Sequence, residues 1–206
     1  MGLIGLVITI VGLSAAYGLT IWLHGRSASA DRGTGRAVIS RTLVGHELEI
    51  PGDWLRDAGD QPAGFSSRVD LRLALPLGPQ GTARLIEVTL LPLSQVRTSA
   101  SLLDGVYLHQ FMPTELAGPA GLVGKPLYAT EGFADETVWY DALSQNPFVA
   151  KCSSPPEGGS APGQCLRTVA LPGGLAAVYV FDSDVLGAWK SFDPKLSAAL
   201  HEIGAL

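Results

Sequence analysis

Leu3 to Leu23 (LIGLVITIVGLSAAYGLTIWL) forms a run of about 21 residues without a charged side chain, and no other feature limits the fold as strongly. At 1.5 Å per helical residue the run covers roughly 30 Å, the thickness of a bilayer's hydrocarbon core. The rest of the chain has ordinary globular composition. The protein is therefore expected to comprise a transmembrane anchor over residues 1–23, a tether over 24–36 (HGRSASADRGTGR) and one water-soluble domain over 37–206. Ala28-Ser29-Ala30 offers the small residues of a signal-peptide cleavage site. The apolar run, however, is far longer than a 7–15-residue h-region, no Lys or Arg precedes it, and Arg26 falls where the cleavage region would lie. A retained single-pass signal-anchor is the better account.

The small residues of that anchor suggest a partner. Gly12 and Ala16 lie four apart, as do Ser14 and Gly18, giving the helix a face that admits close backbone approach by a second helix. Tyr17 suits protein better than lipid, and Trp22 and His24 suit the membrane interface.

Which side of the membrane the domain occupies is argued both ways. Arg26, Arg32, Arg36 and Arg41 all lie C-terminal to the apolar run and, by the positive-inside rule, would keep that flank in the cytoplasm. Against this stand Cys152 and Cys165, which bracket a turn-forming stretch (SSPPEGGSAPGQ) and each border an apolar-alternating run. They fall at the open end of a hairpin, where a bridge would contribute about 3 kcal/mol in the chain-entropy model and would persist in an oxidising compartment. The other reading is a pair of half-buried thiols in a cytoplasmic protein. A disulfide, and with it a domain on the periplasmic side of a bacterial inner membrane, is the expectation.

A domain of this length buries about 70% of its unfolded surface and needs neither metal nor disulfides to hold a core. Net charge is −5 with only 14 Lys and Arg, and no basic stripe is interleaved with aromatics. Neutralising phosphates takes clustered cations, so a nucleic-acid partner is excluded.

Within the domain, Val44 to Ile50 reads as a strand stopped by Pro51, and Asp53 to Arg56 as a single helical turn. Arg68 to Leu75 alternates cleanly, with Val69, Leu71, Leu73 and Leu75 on one face and Asp70, Arg72 and Ala74 on the other. Ile86, Val88 and Leu90 repeat the pattern across a hairpin loop. Ser101 and Asp104 resemble a capping box opening a helix that carries Leu103, Val106, Tyr107 and Phe111, with Pro113 beyond it. Strands are expected near Lys125–Thr130, Thr137–Ala142, Phe148–Cys152, Cys165–Leu171 and Leu175–Phe181, the last apolar on both faces and hence central. A short helix with Val185, Trp189 and Phe192 on one face precedes a second, in which Asp193 is the expected N-cap, Pro194 the first residue and Gly204 the stop. The fold class is α+β: an antiparallel β-rich domain with two C-terminal amphipathic helices behind an N-terminal transmembrane helix.

No catalytic set emerges. His24, His46, His109 and His201 are isolated, there is no G-x-S-x-G, H-E-x-x-H or P-loop, and two cysteines so spaced match no zinc pattern. Glu47 and Glu49, and Glu131, Asp135 and Glu136, are carboxylate groups that read as a solvated strand edge and an acidic loop. No catalytic residue, metal ligand or cofactor is expected. Trp54 and Arg56 put an aromatic and a cation in one turn, a composition favoured at interfaces; a Trp packed on the core beside an Arg capping carbonyls accounts for them equally.

Several stretches resemble a family of uncharacterised single-pass membrane proteins of rhizobia and other alphaproteobacteria: Val44 to Pro51 running into Trp54-Leu55-Arg56, Arg68 to Pro76, Gly118 to Leu122, Pro147 to Cys152 with Cys165, and Tyr179-Val180-Phe181 leading to Leu186 to Lys190. This chain has Leu75 where the family has an aromatic, and Val180 where it has Arg. The family has no assigned activity, so the resemblance implies architecture without mechanism. The resulting expectation is a non-enzymatic, anchored periplasmic protein that binds protein as an accessory or assembly factor of an inner-membrane complex. The alternative is a tethered periplasmic module for a small ligand or envelope polymer.

Overall fold

The computed structural model describes residues 37–56, 64–129, 135–154 and 162–206. The expected anchor and tether, the helix-packing residues Gly12, Ser14, Ala16 and Gly18, and the acidic Glu131 lie outside these residues. No helix among the described residues is long and apolar enough to cross a membrane.

Val38–Leu206 form one unit. Its strands are β1 (Val38–Leu43), β2 (His46–Pro51), β3 (Gly64–Phe65), β4 (Val69–Leu75), β5 (Arg84–Pro92), β6 (Val123–Pro126), β7 (Glu136–Tyr140), β8 (Val149–Ser153), β9 (Gln164–Ala170) and β10 (Leu175–Asp182). Helix α1 (Ser99–Gly105) follows β5, and α2 (Trp189–Glu202) follows β10 through a 3-10 helix over Ser183–Ala188. Seven strands make an antiparallel sheet in the order β4-β5-β10-β9-β8-β7-β6, and β2-β1-β3 form a smaller one. The α+β class and the two C-terminal helical segments are as the sequence predicts.

Period-two alternation decides which face of the large sheet is dry. Val69, Leu71 and Leu73 of β4, Ile86, Val88 and Leu90 of β5, and Leu175, Ala177, Tyr179 and Phe181 of β10 are buried in one cluster with Phe192, Leu196 and Leu200 of α2. Leu43, Leu48 and Ile50 of the β1–β2 hairpin complete it. Phe192 is the aromatic hub, its ring centroid 5.7 Å from Phe148, 5.6 Å from Tyr179 and 4.7 Å from Phe181. Such tilted and edge-on pairs each add about 0.5–1.5 kcal/mol beyond area burial. On the opposite face, α1 and the turn after it cover only one half of the sheet, where Leu103 and Tyr107 pack on Leu127, Val138 and Val149.

Both edges of the large sheet are occupied. At β4, Arg72 N donates to Trp54 O and Arg56 N to Asp70 O; at β6, Leu116 N donates to Gly124 O and Met112 N to Pro126 O. Trp139 of β7 fits here because Gly118 and Gly124 lack side chains, since a Cβ on either would overlap its ring.

Four expectations are corrected. The strand predicted to begin at Val44 is the second arm of a hairpin: Val44 (φ 52°) and Gly45 (φ 80°) form a two-residue turn with Leu43 opposite His46. Left-handed geometry at both central residues is the type I′ signature, but a Val in the first place conceals it. Asp53–Arg56 is not a helical turn but an irregular turn that Leu71 pairs with through Leu55. The α1 cap is Thr98 rather than Ser101, and the helix stops at Gly105, so Tyr107 lies in a 3-10 turn and Phe111 bridges Leu127. Asp193 and Pro194 do not start α2; they lie inside it. Trp189, whose ring lies tilted against Phe148 with centroids 5.9 Å apart and whose indole N–H donates to Ala120 O, holds an extra turn ahead of the proline. The proline then forgoes only the backbone bond it would have made to Lys190.

Candidate functional site

Strand β9 pairs with β10 along its whole length, from Gln164 opposite Asp182 to Ala170 opposite Ala176. With β8 it pairs only at Cys165 opposite Cys152 and Leu166 opposite Lys151. The disulfide Cys152–Cys165 joins the strands at that end, and past Leu166 they part. A fork in the middle of a sheet strands backbone groups that must find other partners, and two side chains supply them. Arg167 Nη1 donates to Val149 O at 3.2 Å, and Ser99 Oγ, in the first turn of α1, accepts the Thr168 amide at 2.8 Å. All three of Ser99, Arg167 and Thr168 are buried.

Arg167 also reaches α2. Its Nε and Nη2 donate to Asp193 Oδ1 and Oδ2 at 3.1 and 2.6 Å, the two-pronged geometry that suits guanidinium and carboxylate. Its carbon centre lies 4.5 Å over the Phe148 ring. The Tyr179 hydroxyl is driven well above the ordinary phenol range by burial, with the Asp193 charge adding and Arg167 partly offsetting.

The fork opens into a groove of about 320 Å³ between Thr168–Ala170 on one side and Asn146, Pro147, Thr98 and Ala100 on the other. Through Ala100, Asn146 and Pro147 it continues into a second groove of about 330 Å³ that reaches Asp104, Leu108, Tyr140 and Asp141. The loop forming the rim is braced internally, with Asp141 Oδ1 accepting Leu143 N and Ser144 Oγ accepting Asn146 N. It leaves the Leu143 side chain 97% exposed.

The residues singled out in the sequence are elsewhere. Trp54 packs partly buried against the main core. Arg56 pairs with Glu87 at 2.9 Å on the uncovered half of the sheet, where Arg72 shares the same carboxylate. Beside them Asp70 takes Arg68 at 2.7 Å and the Thr89 hydroxyl at 2.6 Å. Burial pushes the Asp70 carboxyl up, but the Arg68 and Thr89 hydrogen bonds with the Arg68 and Arg56 charges outweigh it and hold it below the usual range.

Glu47 and Glu49 are exposed on β2, while Glu136 pairs with Lys151 at 2.6 Å across β7 and β8. Asp135 and Glu136 border a cavity of about 760 Å³ beside Tyr128 and Thr137. His46 Nε2 lies 3.4 Å from Gly173 O, and His201 Nδ1 lies 3.2 Å from Leu206 O. Among the described residues no three potential metal ligands are grouped. The fork residues are hidden in the sequence because Asp193 has the look of a helix cap and Ser99 lies ahead of the expected capping box at Ser101. The usable signal was Arg167, a lone cation in an otherwise apolar-alternating strand.

No protein-family model matches the sequence, and no curated protein does. Two solved structures are similar. FrpD, the iron-regulated outer membrane lipoprotein of Neisseria meningitidis, has a TM-score of 0.48 at 9% identity, covering 81% of this chain and 92% of that one. Smlt3025, an immunity protein of the Stenotrophomonas maltophilia type IV secretion system, has a TM-score of 0.56 at 11% identity, covering 82% of this chain and 93% of that one. The domain shares the fold of that immunity protein.

Proposed function

We propose that the chain is a single-pass inner-membrane protein whose periplasmic domain works by holding a protein partner, as an accessory or assembly factor, and not by catalysis. The observation that carries this reading is the groove at the fork. It combines a strand end with no strand partner on one side, apolar rim side chains and carboxylates, which is the chemistry of protein recognition. The disulfide suits an oxidising compartment, and Leu3–Leu23 suits an anchor. A domain of the same fold serving as an immunity protein favours a protein-directed role over an enzymatic one. The resemblance to the alphaproteobacterial membrane family belongs to the same proposal.

The test is crosslinking of the full-length chain in native membranes, followed by purification in mild detergent. A stoichiometric protein partner is expected. Recovery of the chain alone, with normal behaviour after exchange of the anchor for an unrelated one, would instead make it a tethered module for a small ligand or envelope polymer.

A further inference from the structure

We infer that the fork between β8 and β9 is the docking site for an extended, basic segment of the partner protein, which adds to the sheet alongside the free end of β9. This rests on the protein-binding reading above and supplies its recognition mode.

Backbone direction is the first support. The Thr168 amide points away from β10, since it reaches Ser99 Oγ. By the two-residue period of a strand, the Ala170 amide and carbonyl point the same way. Among the described residues no strand pairs with them on that side, whereas both outer edges of the large sheet carry backbone hydrogen bonds to neighbouring chain. Because the Thr168 amide is buried and already taken by Ser99, what the fork offers for strand addition is its exposed end at Ala170.

Charge fixes what kind of segment fits. Arg167 is neutralised by Asp193. The neighbouring groove then carries Asp104 and Asp141 with no cation among its described lining residues, Arg97 standing beside Gly105 outside that lining, in a chain of net charge −5. An occupant bearing Lys or Arg meets those carboxylates, and an acidic one is repelled. Leu108, half exposed, lines that groove and Leu143, almost wholly exposed, stands on the loop that forms its rim, where both can offer apolar contact to the segment's side chains.

The experiment uses the full-length chain in detergent and a fluorescein-labelled peptide, acetyl-Lys-Val-Lys-Val-Thr-Val-amide, read by anisotropy. Comparison peptides carry Glu for Lys, or N-methyl groups on alternate backbone nitrogens. Binding of the basic peptide is expected, weakened at least about tenfold by either change. Ala100→Trp, at the wall where the two grooves meet, should abolish it. Asp104→Lys, on an exposed side chain, should turn the preference toward the Glu peptide, and it keeps the test decisive should the Trp variant fold poorly. No binding to the unaltered chain, equal binding of the N-methylated peptide, or indifference to both substitutions would overturn the proposal. If a native partner still co-purifies with the Ala100→Trp chain, the protein-binding reading stands and the fork is the wrong surface. If no partner is recovered from either chain, the reading itself fails.

Discussion

Ser99 Oγ accepts the backbone amide of Thr168 at 2.8 Å, joining α1 to the strand that β8 has left. Both residues are buried, so the bond substitutes for the missing ladder where water has no access. Ser99→Ala should therefore leave a buried donor unpaired and lower stability by about 1–3 kcal/mol. Urea unfolding measures this, and a loss below a few tenths would show that the fork has other means of satisfying that amide.

Arg167 and Asp193 form one ion pair but are unequal partners. The guanidinium is almost wholly buried and also serves Val149 O and the Phe148 ring, while the Asp193 side chain is 47% exposed. Removing the cation strands a buried carbonyl; removing the carboxylate leaves a cation that retains two other contacts. Arg167→Met is expected to cost about 2–4 kcal/mol and Asp193→Asn about 1 kcal/mol, the latter small because solvent screens the exposed partner. Equal losses would contradict this division of roles.

The disulfide lies at the seam with the shortest ladder in the large sheet. Closing a loop of this size is worth about 3 kcal/mol in the chain-entropy model. The double variant Cys152→Ser, Cys165→Ser should lose a similar amount. Its effect should also be local: amide exchange is expected to rise in β6, β7 and β8 ahead of β4, β5 and β10. Uniform acceleration across the sheet would show that the seam is not a boundary of stability.

Asp70 sets an acid limit. Its folded-state carboxyl titrates below the usual range because the Arg68 and Thr89 bonds outweigh the burial that opposes them. A group depressed in this way contributes stability that is fully present above its unfolded value of about 3.9 and is lost as pH falls through its folded value. Thermal midpoints of the Asp70→Asn variant and the unaltered chain should accordingly differ at pH 6 and converge as pH falls through the depressed folded-state value. A gap that persists at low pH would assign the loss to packing and not to titration.

Much of the framework was legible because it rests on short-range alternation. Val69 to Leu73 and Ile86 to Leu90 declare their dry face, and Leu175 to Phe181, apolar on both sides, declares a central strand. The cysteine pair was readable for the same reason, as each residue borders an alternating run. What stayed hidden depends on distant partners. Val44-Gly45 gives no ordinary hairpin signal, so β1 was missed, and Asp193 before Pro194 copies a helix start that the packing of Trp189 overrides. The fork is hidden because it is an interruption of pairing between β8 and β9, and beyond the lone cation Arg167 nothing local in either strand encodes where the two separate.

The most direct test of the central claim is site-specific photocrosslinking in native membranes. A benzophenone amino acid is placed at Ala100, which lines both grooves, or at Leu143 on the rim loop, and at Gln80 in the exposed turn between β4 and β5 as the comparison position. One protein is expected to crosslink from Ala100 and Leu143 and to be absent from Gln80, with the adduct lost when Asp104→Lys is introduced. No adduct at the fork positions, or the same adduct from Gln80, would contradict it.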